Sequence, residues 1–265
     1  MKKRVDILLV EKGLVESREK AKRIIMEGSV FVGNKRIDKP GEKLDEDVEL
    51  VIKDNPLTYV SRGGLKLEKA IKLFNIDLFN KVAMDIGAST GGFTDCMLQN
   101  GVSKVFAVDV GYGQLDWRLR NDPRVIVMER TNIRNVTYED INEKIDFITI
   151  DVSFISLKLV LPVAKSLLNE DGEVVALIKP QFEAGRDKVG KKGIVREKDT
   201  HCEVISSIVE FSRSYGFGIC GLSYSPITGA TGNIEFLIYL KNNDEKTINS
   251  DDIFKIVEEA HENLN

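Results

Sequence analysis

The chain predicts an α/β fold, a doubly wound and mostly parallel sheet preceded by a small separate α+β module. Three observations carry that expectation. From residue 60 onward, apolar runs of strand length alternate with helical stretches, the pattern of βαβ units in a parallel sheet. A glycine-rich turn at residues 85–92 follows the first of those runs, Val82-Ala83-Met84. Residues 1–53 keep a different rhythm. At 265 residues the chain exceeds the usual single domain, which also favours one α/β body with an appendage.

In the first segment Val5, Leu8 and Leu9 repeat at helical spacing and Gly13 stops the helix. Ser17 then caps a second helix that runs to Gly28. Short β stretches at 29–32 and 49–52 flank turns at Gly33-Asn34 and Lys39-Pro40-Gly41. Residues 54–59 read as a linker, and 60–265 as the α/β domain. There, strands are expected near 82–86, 104–109, 125–128, 146–151, 173–178, 217–225 and 235–240. A terminal helix is expected over 247–265, where Ile253, Phe254, Ile256 and Val257 share one face.

In such a sheet, ligands bind beyond the carboxyl ends of the strands. The turn Asp85-Ile-Gly87-Ala-Ser89-Thr-Gly91-Gly92 places glycines where backbone must approach a ligand, with a helix N-terminus behind it. A dinucleotide fingerprint would open this turn with glycine to seat a pyrophosphate. Here Asp85 stands in that place, and a carboxylate there suits the ammonium of a methionine moiety, so the turn predicts S-adenosylmethionine. Asp109 ends the next strand about 24 residues on, close to the ~20-residue offset of an acid that holds a ribose diol.

Composition narrows the alternatives. A 42% apolar and 30% charged chain with net charge −4 is ordinary for a globular protein with a real core. No global basic field points to nucleic acid, so local clusters must carry any such binding. Cys96, Cys202 and Cys220 are far apart, and only His201 and His261 occur, which predicts neither a disulfide framework nor a metal site. No apolar run approaches the ~20 residues that span a bilayer, and Met-Lys-Lys-Arg-Val-Asp6 lacks the apolar core of an export signal. A cytoplasmic protein with no membrane partner is expected.

Four charged residues fall where this architecture converges. Lys66 opens a helix before the first strand, Asp151 ends the strand Ile148-Thr-Ile-Asp151, Lys179 ends Ala176-Leu-Ile-Lys179, and Glu235 begins the last strand. Buried charges need partners, and one lysine alone at a strand end would be an ordinary surface residue. The chemistry that would assemble such a group is attack by a ribose 2′-hydroxyl on a sulfonium methyl. That attack needs the proton removed or the developing oxyanion stabilised. Lys179 is the candidate for that task, Asp151 and Glu235 orient it, and Lys66 balances the acids.

This tetrad is similar to the Lys-Asp-Lys-Glu set of FtsJ-type ribose 2′-O-methyltransferases. Arg4-Val-Asp6, Ser17-Arg18, Ala21, Ile25, Gly28-x-Val30-x-Val32 and Lys39-Pro-Gly41 resemble the small RNA-binding module named after ribosomal protein S-four. Together with Ser61-Arg-Gly-Gly and Lys179-Pro-Gln-Phe-Glu183 they make nearly the whole chain resemble the TlyA family. The resemblance implies a Rossmann-like methyltransferase sheet with an antiparallel last strand behind that RNA-binding module. It also implies S-adenosyl-L-methionine as cofactor and ribosomal RNA or ribosomal subunits as partner, with cytidines as the known targets. By the same likeness Asp85, Gly87, Ser89 and Gly91 line the methionine pocket, Asp109 the ribose, and Asn132 with Thr131 the adenine. Members of that family also carry a haemolysin name.

Local features separate reaction types. After Asp151 comes Val-Ser-Phe, without the Pro-Pro that amino-methylating enzymes carry, and no cysteine has the Pro-Cys setting of base-carbon methylation. Phe154 reads first as a core residue and second as a platform for a flipped base. Candidate phosphate contacts are Arg4, Arg18, Lys22, Arg23, Lys35 and Arg36 in the first module, with Arg62 after the linker. Arg186, Lys188, Lys191 and Lys192 lie in the stretch 181–198, expected to be a mobile loop that closes over RNA. The alternatives are a membrane-active haemolysin and an RNA-binding protein without catalysis.

Overall fold

The computed structural model describes residues 2–26, 28–33, 35–37, 39–52 and 58–264, without the side chain of Arg36. Most of the expected linker therefore lies outside the described residues. The chain divides into two compact units, Met1–Arg62 and Gly63–Asn265.

The first unit runs β1 (Lys2–Arg4), α1 (Val5–Glu11), α2 (Arg18–Met26), β2 (Val30–Val32), β3 (Lys35–Arg36), β4 (Lys43–Asp45) and β5 (Val51–Ile52). The Ser17 hydroxyl accepts the Lys20 amide at 3.2 Å and so starts α2, as its N-cap position predicts. Val5, Leu8, Leu9, Ala21, Ile25, Val30 and Ile37 form one apolar core between the helix pair and the sheet β3-β2-β5. Three strands escaped the sequence, β1, β3 and β4. Each has two or three residues rich in lysine and arginine, with no apolar alternation to betray it.

The second unit opens with α3 (Gly63–Phe74) and continues β6 (Val82–Ile86), α4 (Gly92–Gln99), β7 (Lys104–Val108), α5 (Trp117–Arg120), β8 (Val125–Met128) and α6 (Tyr138–Ile141). Next come β9 (Ile145–Ile150), α7 (Leu161–Leu167), β10 (Leu168–Ile178), α8 (Pro180–Glu183), α9 (Lys198–Ser214), β11 (Phe217–Tyr224), β12 (Phe236–Asn242) and α10 (Ser250–Leu264). The seven strands lie in the order β11-β12-β10-β9-β6-β7-β8. Only β12 runs against its neighbours, pairing antiparallel with both β10 and β11.

The central strands are apolar on both faces because helices cover both, the rule for parallel sheets. Phe147, Phe217 and Phe236 are fully buried there. β10 starts at Leu168, five residues before the expected position, and its register with β9 shifts between Leu168 and Glu173. The polar stretch Asn169-Glu-Asp-Gly172 hid that early start. Among the described residues, no helix is long and apolar enough to cross a membrane.

Candidate active site

Strand ends bring the charged residues together. β9 stops at Ile150, and the next residue, Asp151, donates its amide to the Ile86 carbonyl at 2.9 Å, which fixes it beside the end of β6. β10 stops at Ile178, and two residues on Pro180, which has no amide to donate to a ladder, starts a new helix. In the antiparallel ladder Ile178 faces Phe236. The start of β12 therefore lies at the same rim as the ends of β9 and β10, and Glu235 arrives beside Lys179. The first turn of α3, anchored by buried Leu67 and Ala70, delivers Lys66.

There Lys66 Nζ donates to Glu235 Oε2 at 2.6 Å and lies 3.8 Å from Asp151 Oδ2, while Lys179 Nζ lies 2.5 Å from Asp151 Oδ1. Lys66 and Lys179 are each 8% exposed and Glu235 3%. Two ammonium groups against two carboxylates leave no net charge in a site nearly shut off from water, which makes its burial tolerable. Burial alone would push the Asp151 carboxyl up, yet Lys66 and Lys179 together hold it below the usual carboxylate range. Asp151 is thus the ionised hub between two cations.

A cavity of about 360 Å³ opens beside this cluster, with Gly87, Ser89, Asp109, Asn132, Asp151 and Ser153 in its wall. Gly87 has φ +87°, and a Cβ there would stand 2.6 Å from the Asp151 carbonyl oxygen, so only glycine fits. Asp109 accepts the Ser89 amide at 2.7 Å on one oxygen and the Gly111 amide at 2.6 Å on the other. It ties the glycine turn to the end of β7, and each oxygen keeps a second lone-pair direction. The Asn132 carbonyl oxygen caps a short turn by accepting the Arg134 amide at 3.1 Å.

Asp85 and Gly91 stand behind that wall. Asp85, 1% exposed, accepts the Thr94 amide at 2.9 Å, the Thr94 hydroxyl at 2.7 Å and the Thr149 hydroxyl at 3.0 Å. Burial pushes its carboxyl up to about 6, against the pull of the two threonines and with the help of negative Asp151. Gly91, at φ +95°, precedes α4 with Leu115 and Leu119 packed against it.

Two residues of this region were not assigned from the sequence, and a third, Phe154, lies elsewhere than its first reading put it. Ser153 accepts a hydrogen bond from Lys179 Nζ at 3.1 Å and lines the cavity. Glu183 accepts the Ser156 hydroxyl at 2.6 Å and the Leu157 amide at 2.7 Å, stapling the segment after Asp151 to α8. Burial pushes its carboxyl up. Phe154 corrects the core expectation, since it is 91% exposed, holds φ +64° and tilts against Phe182 with ring centroids 4.9 Å apart. A bulky aromatic in the left-handed region is a strained conformation. Its apolar character is what made it read as core.

In the first unit, Asp6 is fully buried and clamps Arg4 at 2.9 and 3.0 Å and Arg18 at 2.9 Å, which draws its carboxyl down to about 2. Both arginines stay about half exposed. Lys22 and Lys35 pair with Glu19 and Glu42 on the surface, Arg23 is exposed, and the Arg36 side chain lies outside the described residues. Arg62 is half-buried. Arg186, Lys188, Lys191 and Lys192 are all exposed, and Lys188 pairs with Glu203. Their segment is more structured than the loop expectation. It holds α8 and two single turns at Arg186–Lys188 and Lys191–Gly193.

The strand order, the lone antiparallel β12 and a cavity at the β6 and β7 ends define a methyltransferase-type α/β domain, here following a small α+β unit. Residues 59–242 match the FtsJ-like methyltransferase family and residues 3–50 the S4 domain. The chain belongs to the FtsJ-like methyltransferase family. It is 39% identical over 248 residues to the 16S/23S rRNA (cytidine-2′-O)-methyltransferase TlyA of Mycobacterium tuberculosis, covering 93% of this chain and 92% of that one. A Bacillus subtilis relative that carries an rRNA methyltransferase name, YqxC, is 55% identical over 99% of this chain and 95% of its own length. A solved structure from Streptococcus thermophilus that carries a haemolysin name superposes with TM-score 0.79 at 50% identity, covering 99% of this chain and 96% of that one.

Proposed function

We propose that this chain methylates the 2′-hydroxyl of a cytidine ribose in ribosomal RNA, using S-adenosylmethionine. The observation that carries the reading is the meeting of Lys66, Asp151, Lys179 and Glu235 at the mouth of a cavity that Asp151 itself lines. The wall fits a nucleoside-bearing cofactor. Gly87 lets the turn close against the Asp151 carbonyl with no side chain between them, Asp109 offers carboxylate oxygens to a ribose diol, Ser89 lies toward the methionine end, and Asn132 with Thr131 lies toward the base. Asp85 and Gly91 serve through the turn they fix. Bound there, S-adenosylmethionine supplies an electrophilic sulfonium methyl.

The rest is done by the chain. Asp151 and Ser153 use two of the three donor directions of the Lys179 ammonium, which aims the third. As an ammonium Lys179 then meets the charge that develops on the 2′-oxygen, and it takes the hydroxyl proton itself only in the form that has first released one of its own; preorganised charge in a largely buried site is worth far more than in bulk. Glu235 holds Lys66, and Lys66 keeps Asp151 ionised so that Lys179 stays in place. Phe154 offers an exposed ring on which a flipped base stacks.

Residues 1–53 act as the RNA grip. Asp6 presents Arg4 and Arg18 as a fixed pair of guanidinium groups to phosphates, and Lys22, Arg23, Lys35 and Arg62 are further candidate phosphate contacts. Surface ion pairs such as Lys22 with Glu19 hold their lysines weakly and yield to phosphate. Arg186, Lys188, Lys191 and Lys192 close over RNA from the other domain. A cytoplasmic location follows from a ribosomal substrate. The haemolysin name carried by some relatives finds no spanning helix among the described residues. The test is incubation of purified ribosomal subunits with labelled S-adenosylmethionine and mapping of the product. A methyl on a cytidine ribose is the expected result, and label on a base or in lipid would reject the reading.

A further inference from the structure

Large apolar side chains are normally exposed singly, yet three of them crowd into eight residues directly after Asp109. Val110 is 72% exposed, Tyr112 68% and Trp117 74%. Slack in the loop does not explain this, because the backbone is tied at four points. Asp109 accepts the Gly111 amide at 2.6 Å, Glu129 the Gly113 amide at 2.8 Å, Gly111 the Arg130 amide at 2.9 Å and Thr90 the Asp116 amide at 3.2 Å. A loop held this firmly keeps its aromatics in water by construction.

Position and charge say what covers them. Val110 and Gln114 share one cavity wall with Asp151 and Phe154, so the loop shares a rim with the reacting cluster. The Arg130 guanidinium lies 4.2 Å over the Tyr112 ring, and the Arg118 side chain is 71% exposed. Between residues 110 and 134 stand five arginines and three acids, with no lysine. Aromatic faces interleaved with guanidinium groups suit one class of partner, unpaired nucleotides, whose bases stack while their phosphates meet the cations. A cap over the cofactor would not need Trp117, which opens α5 and lies outside the cavity wall.

We infer that the segment from Val110 to Trp117 is a further RNA-contact surface, a stacking platform for the single-stranded nucleotides that flank the modified one. The inference rests on the RNA-methylation reading and deepens it. It makes the methyltransferase domain itself a reader of strandedness, since a duplex keeps its base faces covered.

Trp117 is the only tryptophan of the chain, so indole emission of the unmodified full-length protein reports on this surface alone. The protein is titrated with a short unpaired oligocytidylate, with an RNA duplex of equal length and with S-adenosylmethionine, while filter retention measures bound RNA independently. The oligocytidylate is expected to quench the emission and shield it from acrylamide, and the duplex and the cofactor to leave it nearly unchanged. Tyr112→Ala and Trp117→Ala should each raise the KM for RNA about tenfold, the scale of one lost base stack, with kcat and cofactor affinity preserved. Trp117→Phe should restore most of the loss, which a merely structural role would not predict. Saturating RNA with unchanged emission would overturn the inference. So would quenching by the cofactor alone, or by ribosomal proteins and not by RNA. Ribose methylation by a parent enzyme whose Trp117 stays silent would sink the platform and leave the functional reading standing. Quenching without any ribose methylation would do the reverse.

Discussion

The two ends of the central sheet each carry an acid between two lysines, and the two acids differ in what lies beside them. At the far end Glu173, 7% exposed, takes Lys81 at 2.5 Å, Lys241 at 2.9 Å and the Tyr239 hydroxyl at 2.5 Å. There too, burial alone would raise the carboxyl, and its donors hold it below the usual range. In charge and distance this cluster rivals the one around Asp151. The difference lies in what surrounds each acid. Donors converge on Glu173 from three sides, and Tyr239 is stacked on Phe74. Asp151 shares its lysines with Glu235 and Ser153 and lines an open cavity beside a glycine turn. A network of charges is a structural device until a cavity and a backbone cradle stand next to it.

The largest expected effect tests that contrast directly. Lys179→Ala should lower methyl transfer about a thousandfold, the usual worth of a lost acid–base or oxyanion group, with S-adenosylmethionine affinity unchanged within a few-fold. Comparable methylation by that variant in a labelled-cofactor assay would strip Lys179 of its role. At the other end, Glu173→Gln should leave methyl transfer at moderate temperature near the parent level. It should cost about 2 kcal/mol of stability, because two lysines lose their counter-ion, and so lower Tm by about 4–8 °C in a domain of this size. Loss of activity without loss of Tm would erase the distinction between the two ends.

The smallest effect concerns Asp85, an acid just under the rim with hydroxyl and amide donors and no cation. Its folded-state carboxyl is pushed up to about 6 by burial, so the native protein binds that proton more tightly than the unfolded chain does. The corresponding stability is fully present below the ordinary carboxylate range and is lost as pH rises through 6. Tm of the parent should therefore fall between pH 5 and pH 7 by more than that of Asp85→Asn, whose amide keeps the Thr94 and Thr149 contacts. The difference is worth about 1–3 kcal/mol. Identical profiles would mean that Asp85 is ionised and compensated like Asp151.

The architecture was legible in the sequence because each central strand is an apolar run bounded by turn residues, and the antiparallel last strand followed from the family resemblance. The tetrad was legible for a related reason, since Asp151 and Lys179 directly follow apolar runs and Glu235 precedes one. What stayed hidden were features without a pattern. β1, β3 and β4 are too short and too charged to alternate. Asp6 stood out only as part of a motif, and its burial depends on two arginines reaching it from different elements. Phe154 was misread because apolar character speaks for the core, while a left-handed backbone that turns a ring outward leaves no mark on composition. Ser153 and Glu183 matter through contacts made across the fold, at separations that local spacing does not encode.

One consequence of the reversed strand concerns the order in which the protein becomes complete during synthesis. Every residue of the cavity wall has been made by position 155, while the partner of Lys66 comes 169 residues after it. From position 155 to Glu235 a ribosome adds 80 residues, about 4–16 seconds at roughly 5–20 residues per second. The residues of the cavity wall are thus all in the growing chain before the last of the four charges. Any product clipped ahead of β12 would lack Glu235 and leave Lys66 without that counter-ion.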